Sequence, residues 1–211
     1  MVASVPPLPV KDVVLTLSFP NRNVFTSQKP PIASIAGIAA AFGPSLASPS
    51  LPAAFAFGNP AVTLALPHPD DSLGCVPLQA DDPDYPLAGA VLLLRRGDCT
   101  FAQKAHLAWL AGAKAVLVAN SELVDEELGT GAPSLGGEDE GFEAGEMVPL
   151  VLIGRESGDL LEEYLERVRN QGAAALLVGV EERDKRTEGE AEGLAAMSLG
   201  GYAVVNCKVQ R

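Results

Sequence analysis

The pattern of apolar and polar positions is sharpest between Gly89 and Asn120. Ala90–Leu94 is an unbroken apolar run, as expected of a strand buried on both faces. Arg95-Arg96-Gly97-Asp98 ends it, and Gly97 is the residue able to supply a positive φ in the turn. Thr100 and Gln103 have capping-box spacing, which predicts that Thr100 caps the Gln103 amide while the Gln103 side chain reaches back. Phe101, Ala105, Ala108 and Trp109 recur at helical spacing and mark the expected buried face of a helix over Thr100–Ala111. Gly112 fits the left-handed stop, and Ala115–Val118 is a second buried strand. Short joints around such a unit favour parallel strands.

The same reading extends outward. Val13–Phe19 alternates as a half-buried strand, and Ala61–Leu66 and Val148–Ile153 are apolar runs of strand length. Ser157 is placed to cap a helix running to Gln171, with Leu160, Leu161, Tyr164, Leu165 and Val168 as its apolar stripe and Gly172 as its stop. Glu163 and Arg167 stand one turn apart on its outer side. Ala173–Val180 predicts another strand, Glu181–Gly193 a charged, solvated stretch, and Tyr202–Val205 a last strand. Thr26–Gly58 reads as irregular. Ser121–Glu146, with nine acidic residues, no basic ones and several glycines, reads as a long loop. The class implied is α+β.

Composition narrows the function. A chain of 211 residues with 47% apolar and 20% charged residues builds one domain, or one and a half, around a sizeable core. The net charge of −12 argues against nucleic acid and against anionic membrane, since phosphates would repel this surface. No apolar run reaches the length of a membrane span.

Several local clusters carry groups capable of chemistry. His68, Asp70 and Asp71 offer a histidine and two carboxylates to a divalent metal, but one short cluster does not complete a coordination shell, and a proline-flanked polar loop is favoured. The acidic loop lacks EF-hand spacing and reads as a solvated linker rather than a calcium site. Nucleophilic catalysis needs a base, and of the two histidines His106 falls off the apolar stripe and reads as a surface residue. Cys99 beside Arg95 and Arg96 has the surroundings of a reactive thiol. The Arg96-Gly97-Asp98 tripeptide is given no adhesive role. No N-x-S/T sequon is present. Neither a catalytic residue, nor a cofactor, nor a metal is expected.

The stretch RRGDCTFAQKAHLAWLAGAKAVLVAN resembles the signature of the protease-associated (PA) domain, a non-catalytic module of secretory-pathway proteins. Phe42-Gly43-Pro44, the Ala61–Leu66 strand and Cys75-Val76-Pro77-Leu78 match the N-terminal half of the same family. The resemblance runs from Val13 to Val180. Residues 1–12 are then a flexible lead-in, and 181–211 a charged linker and C-terminal extension that packs back on the domain. It implies a twisted open β-barrel or sandwich flanked by two main helices, and a disulfide between Cys75 and Cys99, with Cys207 left over. Such a disulfide belongs to an oxidising compartment.

Among PA-bearing families the chain looks most like the module of fungal endoplasmic-reticulum mannosidases that trim misfolded glycoproteins for degradation. That likeness implies residence in the endoplasmic-reticulum lumen or another secretory compartment. It implies as partner a neighbouring catalytic domain, a protein disulfide isomerase or a glycoprotein client. The alternatives are an insert limiting substrate access to a protease, or the luminal ligand-binding domain of a sorting receptor or ubiquitin ligase. The contact surface expected comprises Arg95, Arg96 and Asp98 in the turn and Glu138, Asp139 and Glu140 in the acidic loop, because loops on a rigid scaffold carry recognition. The N-terminus lacks a basic stretch followed by an apolar core and does not read as a signal peptide. The chain is therefore expected to be a piece of a longer protein, with a free-standing cytosolic protein as the alternative.

Overall fold

The computed structural model describes residues 11–18, 34–44, 62–80, 82–121, 141–169 and 176–184. Its strands are β1 (Lys11–Ser18), β2 (Ser34–Ala39), β3 (Val62–Ala65), β4 (Val91–Arg95), β5 (Ala115–Ala119), β6 (Leu150–Ile153) and β7 (Leu176–Asp184). Its helices are α1 (Phe101–Leu110), between β4 and β5, and α2 (Arg155–Arg169), between β6 and β7. Single 3-10 turns lie at Pro69–Asp71 and Ala144–Glu146.

The α+β barrel with two flanking helices is as the sequence implies, but the sheet closes on itself in the order β1-β2-β6-β5-β4-β3-β7. Strands β3, β4, β5 and β6 run parallel, and β1, β2 and β7 complete the ring by antiparallel pairing. Closure depends on β7, which pairs with β1 along its length and with β3 at Leu176 and Leu177. It therefore runs to Asp184, four residues beyond the end expected at Val180. Glu181–Asp184, read as solvated from its charge, is ladder backbone opposite Lys11–Val14. A charged stretch can pair in this way because pairing along a strand is a main-chain matter.

Strands β4, β5 and β6 are buried along both faces. Val91, Leu93, Ala115, Leu117, Ala119, Val151 and Ile153 pack in one layer with the α2 residues Leu161, Tyr164, Leu165 and Val168. The alternate residues Leu92, Leu94, Val116, Val118, Leu150 and Leu152 pack in the other with the α1 residues Ala102, Ala105 and Ala108. Two apolar faces explain why these strands read as continuous runs, whereas β1, with Val13, Leu15 and Leu17 buried and Thr16 exposed, alternates.

Both helices sit close to the sheet because of small residues. The α1 face against the sheet is built on Ala102, Ala105 and Ala108. In α2, a Cβ on Gly158 would lie 2.2 Å from the Ala119 Cβ, so only glycine allows α2 its approach to β5. Thr100 caps α1 through the Gln103 amide at 3.1 Å, and Gly112 stops it at φ 74°, as read from the sequence.

Several details differ from the sequence reading. The Gln103 side-chain amide donates to the Cys75 carbonyl at 3.5 Å, a contact the capping-box spacing does not foretell. Gly97 is not at positive φ; a Cβ there would meet Leu73 at 3.0 Å, so close packing sets its size. Trp109 and Leu160 are exposed, at 40% and 43%, because the true stripes are Ala102, Ala105 and Ala108 on α1 and Leu161, Tyr164, Leu165 and Val168 on α2. Helix α2 begins at Arg155, so Ser157 lies inside it rather than capping it. Gln171 and Gly172, most of Thr26–Gly58, Glu122–Glu140 of the acidic loop, the strand expected at Tyr202–Val205 and Cys207 lie outside the described residues.

Candidate functional site

The parallel strands end at one rim of the barrel. Arg95 of β4 stands in register with Ala119 of β5, and Ala119 with Ile153 of β6. The turn at 96–100, Asn120 and the start of α2 are therefore neighbours. The acidic loop leaves the barrel at this rim after Asn120. It returns beside α1, where the Val148 amide donates to the Ala105 carbonyl at 3.3 Å and His106 Nδ1 lies 2.8 Å from the Glu146 carbonyl oxygen.

The residues proposed for recognition have unequal roles at this rim. Arg95 is turned onto α2, donating to Asp159 at 2.5 Å and to Glu162. Burial pulls its pKa down, but the hydrogen bonds and charges of Glu162 and Asp159 outweigh burial, and the net shift is upward. Arg96 is half-buried; its guanidinium donates to the Asn120 side-chain oxygen at 2.9 Å and stands 5.9 Å from the Phe101 ring centroid. Asp98 is exposed at the tip. Glu138, Asp139 and Glu140 lie outside the described residues. A pocket of about 120 Å³ beside Arg95, lined by Leu66, Pro67, Glu162 and Arg169, is small against the ~300–1,000 Å³ of typical ligand sites.

The second cluster sits under the turn. Cys75 and Cys99 form a disulfide with their Cα atoms 5.6 Å apart. It ties the segment entering β4 to the N-terminus of α1. Lys104, one turn into α1, is 1% exposed. Its Nζ donates to the Leu73 carbonyl and lies 3.4 Å from the Cys75 sulfur and 3.3 Å from the Cys99 sulfur. Burial lowers its pKa from 10.5 to about 8, against the opposing pull of Asp98. Sequence reasoning passed over Lys104. The signal was there: it stands three residues after Phe101 and four before Ala108, on the buried stripe.

The other clusters are structural. His68 Nδ1 accepts from the Asp70 amide at 3.3 Å and caps the 3-10 turn, with Asp70 exposed and Asp71 buried. Among the described residues no group of three or more His, Cys, Asp or Glu side chains is placed to hold a metal ion. His106 is half-buried rather than a free surface residue, stacked on Phe142 at 4.4 Å between ring centroids. Glu163 and Arg167 form the expected ion pair on the exposed side of α2. Among the described residues no helix is long and apolar enough to cross a membrane.

Comparison with known proteins bears on this arrangement. The family model of the PA domain matches residues 60–161. Vacuolar-sorting receptor 7 of Arabidopsis thaliana is 43% identical over 81 residues, which is 38% of this chain and 13% of the receptor. Two solved structures are similar: a zinc aminopeptidase from Bacillus subtilis (TM-score 0.45, 22% identity) and an aminopeptidase from Aneurinibacillus sp. strain AM-1 (TM-score 0.40, 24% identity). Each similarity covers 82% of this chain, and 33% and 35% of the respective enzymes. The chain thus spans about an eighth of the receptor and about a third of each enzyme. The segment that matches the PA-domain model holds β3, β4, α1, β5, β6 and the Cys75–Cys99 disulfide.

Proposed function

We propose that this chain is a non-catalytic recognition module that holds a protein partner, or shapes access to a neighbouring catalytic domain, within a secretory compartment. The observation that carries this reading is the PA-domain match over residues 60–161, with a disulfide inside it. Disulfides persist in oxidising compartments. The host favoured by the turn-and-helix motif is a mannosidase that trims misfolded glycoproteins in the endoplasmic reticulum, with a disulfide isomerase or a glycoprotein client as partner. The match to a vacuolar-sorting receptor supports a second reading, a luminal ligand-binding domain. The protease insert is the remaining alternative.

The contact surface in either case is the rim turn with the acidic loop. Asp98 is its exposed tip, Arg96 flanks it, and Glu138, Asp139 and Glu140 are the loop charges. Arg95 serves the surface by anchoring the turn to α2. The test is direct binding of the purified full-length parent and its Asp98→Lys variant to a mannose-bearing misfolded glycoprotein, to a disulfide isomerase and to a vacuolar-sorting peptide. Binding of one of these, weakened at least tenfold by Asp98→Lys together with deletion of 138–140, supports the rim surface and names the host class. Binding unchanged by both changes contradicts it.

A further inference from the structure

The environment of the disulfide has a chemical consequence that a recognition module does not require. Lys104 is buried beside both sulfurs, and among the described residues no carboxylate lies within ion-pair distance of its ammonium. A buried charge is tolerated when it is paired, and a disulfide sulfur is a weak acceptor that carries no charge. Reduction changes this: a thiolate at either position would stand against the ammonium at the present 3.3–3.4 Å. The oxidised form therefore holds a buried cation opposed only by the charge of Asp98 beyond ion-pair distance, and the reduced form a direct ion pair. Both effects favour opening of the bond. Cys75 and Cys99 are half-buried rather than enclosed, and the adjacent Val76, Pro77, Asp98 and Thr100 are exposed, so an incoming thiol has access.

We propose that Cys75–Cys99 is a thiol-exchange site, at which an external dithiol opens the disulfide and the departing sulfur leaves as a thiolate onto the Lys104 ammonium. The dithiol thiolate attacks one cysteine sulfur. A new sulfur–sulfur bond forms, the Cys75–Cys99 bond breaks, and its electron pair goes to the other cysteine as thiolate. The second thiol of the reductant loses its proton to solvent and attacks the mixed disulfide. The first cysteine is expelled as a thiolate and takes a proton from solvent. The dithiol ends as a cyclic disulfide and the protein, two electrons reduced, as one thiol and one thiolate held against the Lys104 ammonium. Because Lys104 is nearly equidistant from the sulfurs, it serves whichever leaves. It is a positioning and charge-stabilising residue, and the proposal holds whichever host carries the domain.

The experiment uses the full chain with Cys207→Ser, so that one cysteine pair remains. Folded protein is equilibrated in buffers of reduced and oxidised dithiothreitol, quenched by alkylation and counted by mass. Lys104→Met is expected to need about a tenfold more reducing ratio for half-reduction, about 30 mV for a two-electron couple, and to open about tenfold more slowly. Lys104→Arg restores most of both. Melting of the oxidised forms reports whether each variant is folded. Equal midpoints for the parent and a folded Lys104→Met overturn the proposal. If Lys104→Met does not fold, the alkylation rate of the reduced parent against pH decides. One thiol titrating clearly below the ordinary value of about 8.5 supports the site, and both at or above it overturn it.

Discussion

Arg95 and Lys104 are two cations delivered by one β4–turn–α1 unit, and they meet opposite fates. Arg95 ends its strand facing α2, where Asp159 and Glu162 take both ends of its guanidinium. Lys104 lies on the inner face of α1, where it finds a carbonyl and two uncharged sulfurs. Their pKa values diverge accordingly, upward for Arg95 and down to about 8 for Lys104. A compensated charge fastens structure. An uncompensated one disfavours the state it sits in and favours any reaction that supplies a partner. The rim of this barrel is thus held by the first cation, and its disulfide is made reactive by the second.

The comparison can be broken in several ways. Replacing Cys75 and Cys99 together by alanine removes the cross-link and is expected to cost about 3 kcal/mol in denaturant unfolding, close to the loop-closure value for this separation. Gly158→Ala forces a Cβ onto Ala119 and should cost about 1–3 kcal/mol by lifting α2, loosening the Arg95 pairs with it. Arg95→Met should cost about 1 kcal/mol, since its partners are partly exposed and the pairs are screened. Lys104→Met in the oxidised protein should cost less than Arg95→Met at neutral pH, or stabilise. A larger loss at Lys104 than at Arg95 would reverse the comparison.

The pH dependence sharpens it further. The folded Lys104 sheds its proton near pH 8, whereas the unfolded chain holds it to about 10.5. Between those values the unfolded state binds more protons, so stability rises with pH across that window. The penalty of the buried charge is fully present below pH 8 and absent above about 10.5. Denaturant midpoints of the parent and Lys104→Met, measured at pH 7 and pH 10, should therefore converge or cross in the parent's favour. A constant gap would mean that Lys104 is not buried as a charge. The smallest effect expected is at Glu163→Ala, about 0.3–0.5 kcal/mol, because its pair with Arg167 is exposed.

Much of the fold was legible because its signals are local. The Ala90–Asn120 unit announced itself through one apolar run, one cap and one glycine stop, and all three stand where the sequence put them. The closing of the barrel was not legible, since β7 must find β1 across more than half the chain and nothing local in Glu181–Asp184 advertises a strand. At the rim, the pairing of Arg95 with Asp159 and Glu162 spans 64 and 67 residues and leaves no sequence mark. Lys104 differs: its place in the apolar stripe was visible, and the habit of reading lysine as solvent-facing hid it.

The measurement that bears most directly on the account is mass mapping of alkylated cysteines before and after reduction, on protein made in an oxidising compartment. The account predicts that Cys75 and Cys99 are recovered as one linked peptide pair, protected until a dithiol is added. Free, alkylated thiols at both positions in the folded protein would contradict it, removing at once the clasp, its luminal setting and the chemistry assigned to Lys104.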